Sequence, residues 1–337
     1  MATSNVVEKK AFLGYIHAYR AMAAMFVVAI HCPLLLSDPG TYGIESIFFK
    51  RSTHMFVFIS GFIFQHLAVR FDWKRFYKKK AQHVLLPYLL LSLPIIIYQV
   101  FITKRMADND GSSLLYQVFY NLRTGSHLAP LWFIPMITLF YLVSPLLVKL
   151  DEGQWGYKFL PLFIGLSLVY TRGRVTNQET LLLFVHFFSI YLIGMFCSRH
   201  KDKLFELTNK YFLLLLLGVV GIIAFEKFNP EILTEQLQFI QKMMLSIVML
   251  HLFHKYESKI PRQINEIADM SFGIYFIHSF VLVFVGHLIK HFTRTGALTY
   301  TPFNYCLVFV SVMLITIITI KIVKLPTKSY SRYIIGC

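Results

Sequence analysis

Long apolar runs recur along almost the whole chain and restrict it to a membrane-spanning fold. Most of them approach the roughly 20 residues that a helix needs to cross a bilayer core, and 56% of all residues are hydrophobic. The sequence therefore predicts an all-α integral membrane protein, with about ten transmembrane helices in one bundle and a single domain over residues 1–337. The predicted spans lie at about 12–36, 47–69, 83–102, 129–148, 158–171, 180–197, 211–225, 236–254, 271–290 and 303–323.

The distribution of Lys and Arg predicts the orientation of these spans. Alternate loops carry 21 of these residues on the side of both termini and 10 on the other side. Because cytoplasmic loops hold the excess of positive charge, both termini are expected in the cytoplasm. The same excess accounts for the net charge of +16, so nucleic acid is not an expected partner.

The cysteines and the first apolar run exclude other classes of site. Four cysteines without Cys-x-x-Cys spacing predict neither a disulfide framework nor a metal centre. Arg20 interrupts the first run, so we expect no cleavable signal peptide. We also expect no permanently bound cofactor.

The first run, HAYRAMAAMFVVAIHC at residues 17–32, contains the charged Arg20 and the titratable His31. Their separation of eleven residues is close to three full turns, so they share one helix face about 16 Å apart. With the N-terminus inside, Arg20 lies near the cytoplasmic boundary and His31 toward the far leaflet. Ala24 and Val27 lie between them on that face. The spacing predicts a narrow groove with a cation at its inner mouth and an imidazole at its other end.

Both residues also have a structural interpretation. Arg20 could snorkel to the inner interface and His31 could be a polar residue near the outer one. Inserting a charged residue into a membrane span costs about 2.5–3.5 kcal/mol, so such a residue normally faces the protein interior or water. Because Arg20 and His31 share one helix face, a functional role for the pair is favoured. Cys32 points about 100° away from His31 and receives no role. Asp38 and Glu45, in the first outer loop, are weaker candidates for orienting the imidazole.

Five motifs follow one another in a fixed order along most of the chain. In that order they resemble the acyltransferase-3 family, bacterial membrane acyltransferases of which many O-acylate surface or exported polysaccharides. Each motif alone is weakly specific, whereas the five in order are a strong indication. They are Arg20-x10-His31, MFVFISGFIF at 55–64 with Ser60-Gly61-Phe62, YKKKAQHVLLPYLL at 77–90, PLWFIPMITLFYLVSPLL at 130–147 and SFGIYFIHSFV at 271–281.

The resemblance implies transfer of an acyl group, with acetyl expected, from cytoplasmic acyl-CoA. The implied acceptor is a hydroxyl of a surface or exported polysaccharide, or of its lipid-linked precursor, at the bacterial inner membrane. His31 is the expected general base, and a covalent acyl-His intermediate stays open. Ser60 and Tyr88 are candidate oxyanion donors. The candidate acyl-CoA-binding residues are Arg20, Lys78, Lys79, Lys80, His83 and Trp132.

Several of these candidates have competing interpretations. Ser-Gly is also an ordinary close contact between helices, and Trp132 also fits an interfacial anchor or a pocket wall. His278, in YFIHSF, also fits a hydrogen-bonded core residue. Many family members carry Arg-x-x-Arg where this chain has Lys80-Ala-Gln-His83, so bidentate phosphate contact is not expected there. His127 receives no role.

A transporter or flippase for a polar or lipid-linked substrate is the main alternative function. Ten spans, buried polar residues and the helix prolines Pro94, Pro135 and Pro145 favour it. No inverted repeat or matched pair of broken helices supports it. A glycosyltransferase is less favoured because only 17 residues are acidic and few lie in spans. The acceptor sugar, acetyl against succinyl, and association into homo-oligomers stay open.

Overall fold

The protein is almost entirely helical. The computed structural model describes residues 12–37, 44–68, 71–102, 113–172, 175–229, 231–293 and 296–337, with the backbone alone for residues 44–46. Within these ranges the α-helices are α1 Gly14–His31, α2 Ile44–Phe49, α3 Thr53–Leu67, α4 Trp73–Lys80, α5 Leu86–Ile97, α6 Leu114–Thr124, α7 Phe133–Leu142, α8 Ser144–Gly153, α9 Trp155–Lys158, α10 Leu160–Val169, α11 Thr180–Arg199, α12 Lys201–Phe228, α13 Thr234–Lys255, α14 Arg262–Asp269, α15 Ser271–Phe292, α16 Pro302–Thr327 and α17 Ser331–Ile334.

Short irregular helices and one pair of strands complete the described chain. The 3-10 helices are Cys32–Leu35, Glu257–Lys259 and Lys328–Tyr330, and the π-helices are Ala81–Leu85 and Tyr98–Ile102. Strands β1 (Leu36–Ser37) and β2 (Leu298–Thr299) pair in parallel. Leu36 lies opposite Leu298, so this pair joins the segment after α1 to the segment after α15.

Eight stretches of helix in the described residues are long and apolar enough to cross a bilayer. A ninth is the pair α7–α8, which bends by 57°, with Pro145 at the start of α8. The remaining predicted segment, the fifth at 158–171, contains the short apolar helix α10. The prediction of an all-α polytopic membrane protein is therefore confirmed. The eight are Gly14–Leu35, Ile47–Leu67, Trp73–Ile102, Thr180–Arg199, Lys201–Phe228, Thr234–Lys255, Ser271–Phe292 and Pro302–Ile334.

Both ends of the described chain lie at the same end of the bundle. The amide of Tyr15, at the start of α1, donates to the Glu257 carboxylate after α13 at 3.0 Å. The C-terminal Cys337 packs against Gly273 at the start of α15. We call this the inner end and the opposite one the outer end. An even number of crossings places both termini together in this way.

Two glycines bring α3 and α11 into backbone contact at the centre of the bundle. A Cβ on Gly61 would lie 2.1 Å from the Tyr191 carbonyl oxygen. A Cβ on Gly194 would lie 2.1 Å from the Phe58 carbonyl oxygen. In a lipid bilayer the hydrophobic effect does not drive helices together, so helices associate through close packing. Small residues such as glycine allow their backbones to approach. The Ser-Gly-Phe motif therefore includes a helix contact, as one of its two interpretations predicts.

Helix α1 is enclosed by protein on most sides. Its alanines Ala18, Ala21, Ala23 and Ala24 are at most 1% exposed. The helix packs against α3, α13, α14, α15 and α16. The run of small residues gives neighbouring helices room to approach, so polar side chains on α1 face protein and not lipid.

Buried charges join the helices at the outer end. Arg51, just before α3, forms an ion pair with Glu235 at the start of α13. The buried Lys242 ammonium of α13 donates to the carbonyl oxygens of Ile47 and Phe48 at the end of α2. These carbonyls lack helical partners and carry partial negative charge, so they compensate the buried cation.

Candidate active site

His31 is the last residue of α1, followed by Pro33 in the next turn. Its Nδ1 lies 2.7 Å from the Val27 carbonyl oxygen. A carbonyl can only accept a hydrogen bond, so Nδ1 carries the proton and Nε2 keeps its lone pair. This tautomer presents a basic nitrogen on a side chain held by its own helix.

A second imidazole faces His31 from α15. The His31 and His278 ring centroids are 5.3 Å apart. His278 is fully buried, and its Nδ1 lies 2.9 Å from the Ile274 carbonyl oxygen. By the same argument its Nε2 holds a lone pair, and this buried atom has no hydrogen-bond partner in the structure. Two basic nitrogens therefore belong to one site.

Tyr275 connects this histidine pair to the outer end. Its ring centroid lies 6.3 Å from that of His278 and 5.6 Å from that of Phe133. Its hydroxyl donates to the Pro130 carbonyl oxygen. Pro130 belongs to residues 125–132, the turn between α6 and α7 that we call the outer turn. The outer turn is thus anchored one helical turn away from His278.

Arg20 is anchored at the inner end by one of its nitrogens. Nη2 donates to the Ala268 carbonyl oxygen at 2.9 Å and lies 3.2 Å from His17 Nδ1. His17 in turn lies 3.3 Å from the Asp269 carboxylate. The Arg20 Nε is buried without a hydrogen-bond partner. The guanidinium therefore keeps donor capacity beyond the contacts that hold it in place.

Further cationic side chains gather near Arg20. Arg332, in α17, lies within electrostatic range of both Arg20 and His83. The His83 ring, on the π-helix after α4, lies 5.4 Å from the Tyr333 ring. The positive charge of Lys79 also interacts electrostatically with His83. Arg20 and His83 therefore have Arg332 as a common charged neighbour at the inner end.

The three lysines of the KKK run do not share one environment. Lys78 and Lys79 are exposed. Lys80 turns inward, with its Nζ 4.5 Å from the Tyr141 ring centroid and 5.3 Å from that of Phe76. Its charge is therefore directed at aromatic rings, as in a cation–π contact.

Ser60 and Tyr88 occupy different places. Ser60 is half-buried beside Gly61 in the α3–α11 contact. The Tyr88 hydroxyl donates to the Leu122 carbonyl oxygen of α6 at 2.8 Å, and its ring lies 6.1 Å from that of His127. Tyr88 is also within electrostatic range of Tyr275. The tyrosine therefore has α6, His127 and Tyr275 as its neighbours.

Trp132 lies at the outer end, away from Arg20. Its ring stacks on Phe187 of α11 at 5.9 Å between centroids. The Arg172 guanidinium lies 4.4 Å from the Trp132 ring centroid. Burial lowers the pKa of Arg172 to about 10, so it stays charged at neutral pH. The position fits the pocket wall that the sequence offers as one interpretation of Trp132.

His127 and Arg332 are the residues that sequence reasoning did not place at the site. His127 is 4% exposed, its Nδ1 lies 3.3 Å from the Asn121 carbonyl oxygen and its Nε2 has no partner. Burial lowers the pKa of His127 to about 4, so it is neutral at pH 7. For Arg332, no local pattern marks a single arginine near the C-terminus.

Cys32, Asp38 and Glu45 follow His31 in the sequence, and the structure describes the side chain of Cys32 among them. The Cys32 thiol is buried and donates to the Val28 carbonyl oxygen at 3.3 Å. Asp38 and the side chain of Glu45 lie outside the described residues. No group of three or more His, Cys, Asp or Glu residues in the described ranges is arranged to hold a metal ion.

Comparison with known families agrees with the motif order. A family model described as an acyltransferase domain matches residues 13–321. This range contains every predicted site residue. No curated protein and no solved structure matches the chain.

Proposed function

The chain belongs to the acyltransferase-3 family, and from that premise we propose the reaction that this multi-pass membrane acyltransferase performs. It transfers an acyl group, with acetyl the expected one, from cytoplasmic acyl-CoA to a glycan hydroxyl. The acceptor is a surface or exported polysaccharide, or its lipid-linked precursor, at the bacterial inner membrane. The observation that carries the proposal is the His31 ring, with Nδ1 bound to Val27 and Nε2 free to act as a base.

The reaction step follows from that nitrogen. His31 Nε2 takes the proton of the acceptor hydroxyl as the oxygen attacks the thioester carbonyl carbon. The new C–O bond forms, the C–S bond breaks, and the imidazolium returns its proton to the leaving thiolate. The products are the glycan ester and free coenzyme A, and no other reactant is needed.

The inner-end cations supply the donor site in this proposal. Coenzyme A carries phosphates at one end and its thioester at the tip of a slender arm. Arg20, Arg332 and Lys79 offer charge-assisted hydrogen bonds to phosphate oxygens at the cytoplasmic mouth. The arm then extends along the face of α1 that leads from Arg20 to His31, a rise of about 16 Å.

The test is replacement of the base. Purified His31→Gln, given acetyl-CoA and the acceptor glycan, is expected to transfer at least about 100-fold more slowly, since general base catalysis typically contributes 10²- to 10⁴-fold. His287→Gln is the matched control, because this exposed histidine makes the same bond to the carbonyl four residues earlier. It should keep the wild-type rate.

A rate within threefold of wild type in His31→Gln would remove the base assignment. Tryptophan fluorescence and size-exclusion elution show whether each variant is folded. If the purified protein moved glycan across the membrane of lipid vesicles without acyl transfer, the transporter alternative would be favoured instead. The family match does not favour that alternative.

A further inference from the structure

A cavity of about 290 Å³ opens at the outer end, between the outer turn and residues 176–178. We call it the outer pocket. Its volume is at the lower limit of small-molecule sites, which suits one compact ligand unit better than a long segment. The side chains that line it are those of Ser126, Ala129, Trp132, Thr176, Asn177 and Gln178.

Gly125 shapes one wall of the outer pocket. It ends α6 with φ +69°, and its amide donates to the Asn121 carbonyl oxygen at 2.8 Å. A Cβ at this position would lie 2.5 Å from the Leu131 carbonyl carbon and the Trp132 amide nitrogen. Both the left-handed backbone and the close approach require glycine. The outer turn therefore folds back tightly on the end of α6.

Hydroxyl groups fix the same turn from inside. The Ser126 hydroxyl donates to Asn121 Oδ1 at 3.0 Å and lies 2.9 Å from the Thr124 hydroxyl. With Pro130 held by Tyr275, the turn is bound at both of its ends. A wall that is fixed before binding lowers the entropy cost of taking up a ligand.

Arg172 fixes the opposite side of the pocket. Its guanidinium lies over Trp132, and its Nη2 donates to the Asn177 side-chain oxygen. The buried Nη1 has no hydrogen-bond partner in the structure. Arg172 thus positions both an indole and an amide at the pocket without being part of its lining.

The chemistry of the lining indicates the ligand. Among the described residues, two hydroxyls and two amides line the pocket beside the Trp132 indole, and none of these lining residues carries a carboxylate or ammonium group. The Ser126 hydroxyl already donates to Asn121, so it accepts from a ligand, while the amides offer both donors and acceptors. Sugar hydroxyls both donate and accept hydrogen bonds, so they complement such a lining. The Arg172 cation lies behind Trp132 and Asn177 and outside this lining, so the ligand meets neutral groups first.

We propose that the outer pocket binds one sugar unit of the acceptor glycan, through Ser126, Thr176, Asn177 and Gln178 and against Trp132. This assignment rests on the proposed acyl transfer to a glycan. Contacts through Pro130, Tyr275 and His278 connect the pocket wall to His31. The acceptor therefore arrives from the outer end while the donor arrives from the inner end.

Kinetics of two pocket variants tests the assignment. Asn177→Ala and Gln178→Ala are each expected to raise the half-saturating glycan concentration about tenfold, the effect of losing one hydrogen bond. The half-saturating acetyl-CoA concentration should not change. Asn229→Ala is the matched control, because the side-chain amide of this outer-end residue donates to the Phe225 carbonyl oxygen, four residues earlier in the chain. The probe is deacylated oligosaccharide from the surface polysaccharide of the producing strain, free or linked to polyprenyl diphosphate.

Fluorescence provides a readout that does not depend on catalysis. The chain has three tryptophans, and two of them, Trp73 and Trp155, are exposed. In Trp73→Phe/Trp155→Phe, Trp132 is the sole emitter, and adding either form of the oligosaccharide should shift its emission. The form that acts at lower concentration identifies free or lipid-linked glycan as the acceptor.

The outcomes separate the two proposals. Wild-type protein that transfers no acyl group to either glycan defeats the proposed function, while an emission shift would still show binding at the pocket. Unchanged Trp132 emission at concentrations that saturate transfer would overturn the pocket assignment alone. Wild-type glycan dependence in both alanine variants would also overturn it.

Discussion

At the residue scale, the backbone decides what the site histidines can do. His31 and His278 each commit Nδ1 to the carbonyl four residues earlier in its own helix. An imidazole held by a backbone carbonyl keeps one tautomer without a carboxylate partner. A carboxylate would add a negative charge that is costly inside a membrane unless it is paired. Arg20 is similarly fixed, by the Ala268 carbonyl. The candidate site therefore obtains its geometry from backbone carbonyl groups of the helices.

Replacing Arg20 by lysine tests the donor site. Arg20→Lys keeps the charge but loses the planar fork, and with it either the Ala268 contact or the phosphate contact. We expect the half-saturating acetyl-CoA concentration to rise about tenfold, with a smaller change in maximal rate. Steady-state kinetics measures both. Arg262→Lys, on the exposed surface of α14, is the control, and equal acetyl-CoA dependence in wild type and Arg20→Lys would refute the phosphate contact.

The sequence predicts the parts of this site that depend on one helix. Arg20 and His31 share a face because helical periodicity is local, and eleven residues suffice to establish it. The neighbours His278 and Arg332 lie far away along the chain and reach α1 only through packing. No spacing rule indicates such contacts, and the motif order marks His278 without assigning its partner.

At the element scale, apolar runs predict crossings better than they predict breaks. All ten predicted segments contain helix, but the fourth bends by 57° between α7 and α8. The third changes from α4 to a π-helix at Ala81–Leu85 before α5 continues. A hydropathy pattern shows where an apolar run lies and how long it is. It carries no information on the hydrogen-bond pattern inside the helix. Pro145, at the start of α8, accompanies the bend.

Replacing either of two glycines by alanine should change the free energy of unfolding, with opposite signs. One glycine lies in the α3–α11 contact and the other has open space around it. Gly194→Ala places a Cβ 2.1 Å from a backbone oxygen, so we expect a loss of about 1–3 kcal/mol or more in the free energy of unfolding. Gly221→Ala in α12 has open space around the new methyl group and should gain up to about 1 kcal/mol. Thermal unfolding in detergent checks both. Equal melting temperatures for Gly194→Ala and wild type would show that the two helices are not tightly packed.

At the scale of the whole molecule, the two ends of the bundle differ in chemistry. The inner end holds both described termini and the cations around Arg20. The outer end holds the polar pocket and the ion pair between Arg51 and Glu235. The distribution of Lys and Arg predicts that the inner end faces the cytoplasm. In the proposed reaction, this orientation gives each substrate its own side of the membrane.

Cysteine labelling tests the orientation. In a Cys306→Ser background, which removes the exposed native thiol, Glu231→Cys reports on the outer end and Arg262→Cys on the inner end. A membrane-impermeant maleimide added to intact spheroplasts should label the first variant and not the second. Permeabilised cells should label both. The reverse pattern would place Arg20 outside, where it would not meet cytoplasmic acyl-CoA.

The shortness of α10 has a consequence for the distance that the acyl group travels. Helix α10 ends at Val169, and its Ser167 hydroxyl lies 2.7 Å from that of Ser189, midway along α11. Trp132 stacks on Phe187, the eighth residue of α11, about 10 Å along that helix from its outer terminus. Trp132, which lines the outer pocket, therefore lies below the outer terminus of α11. In the proposed reaction, a sugar unit bound beside Trp132 is nearer to the acyl donor than the outer helix ends are, which shortens the path of the acyl group.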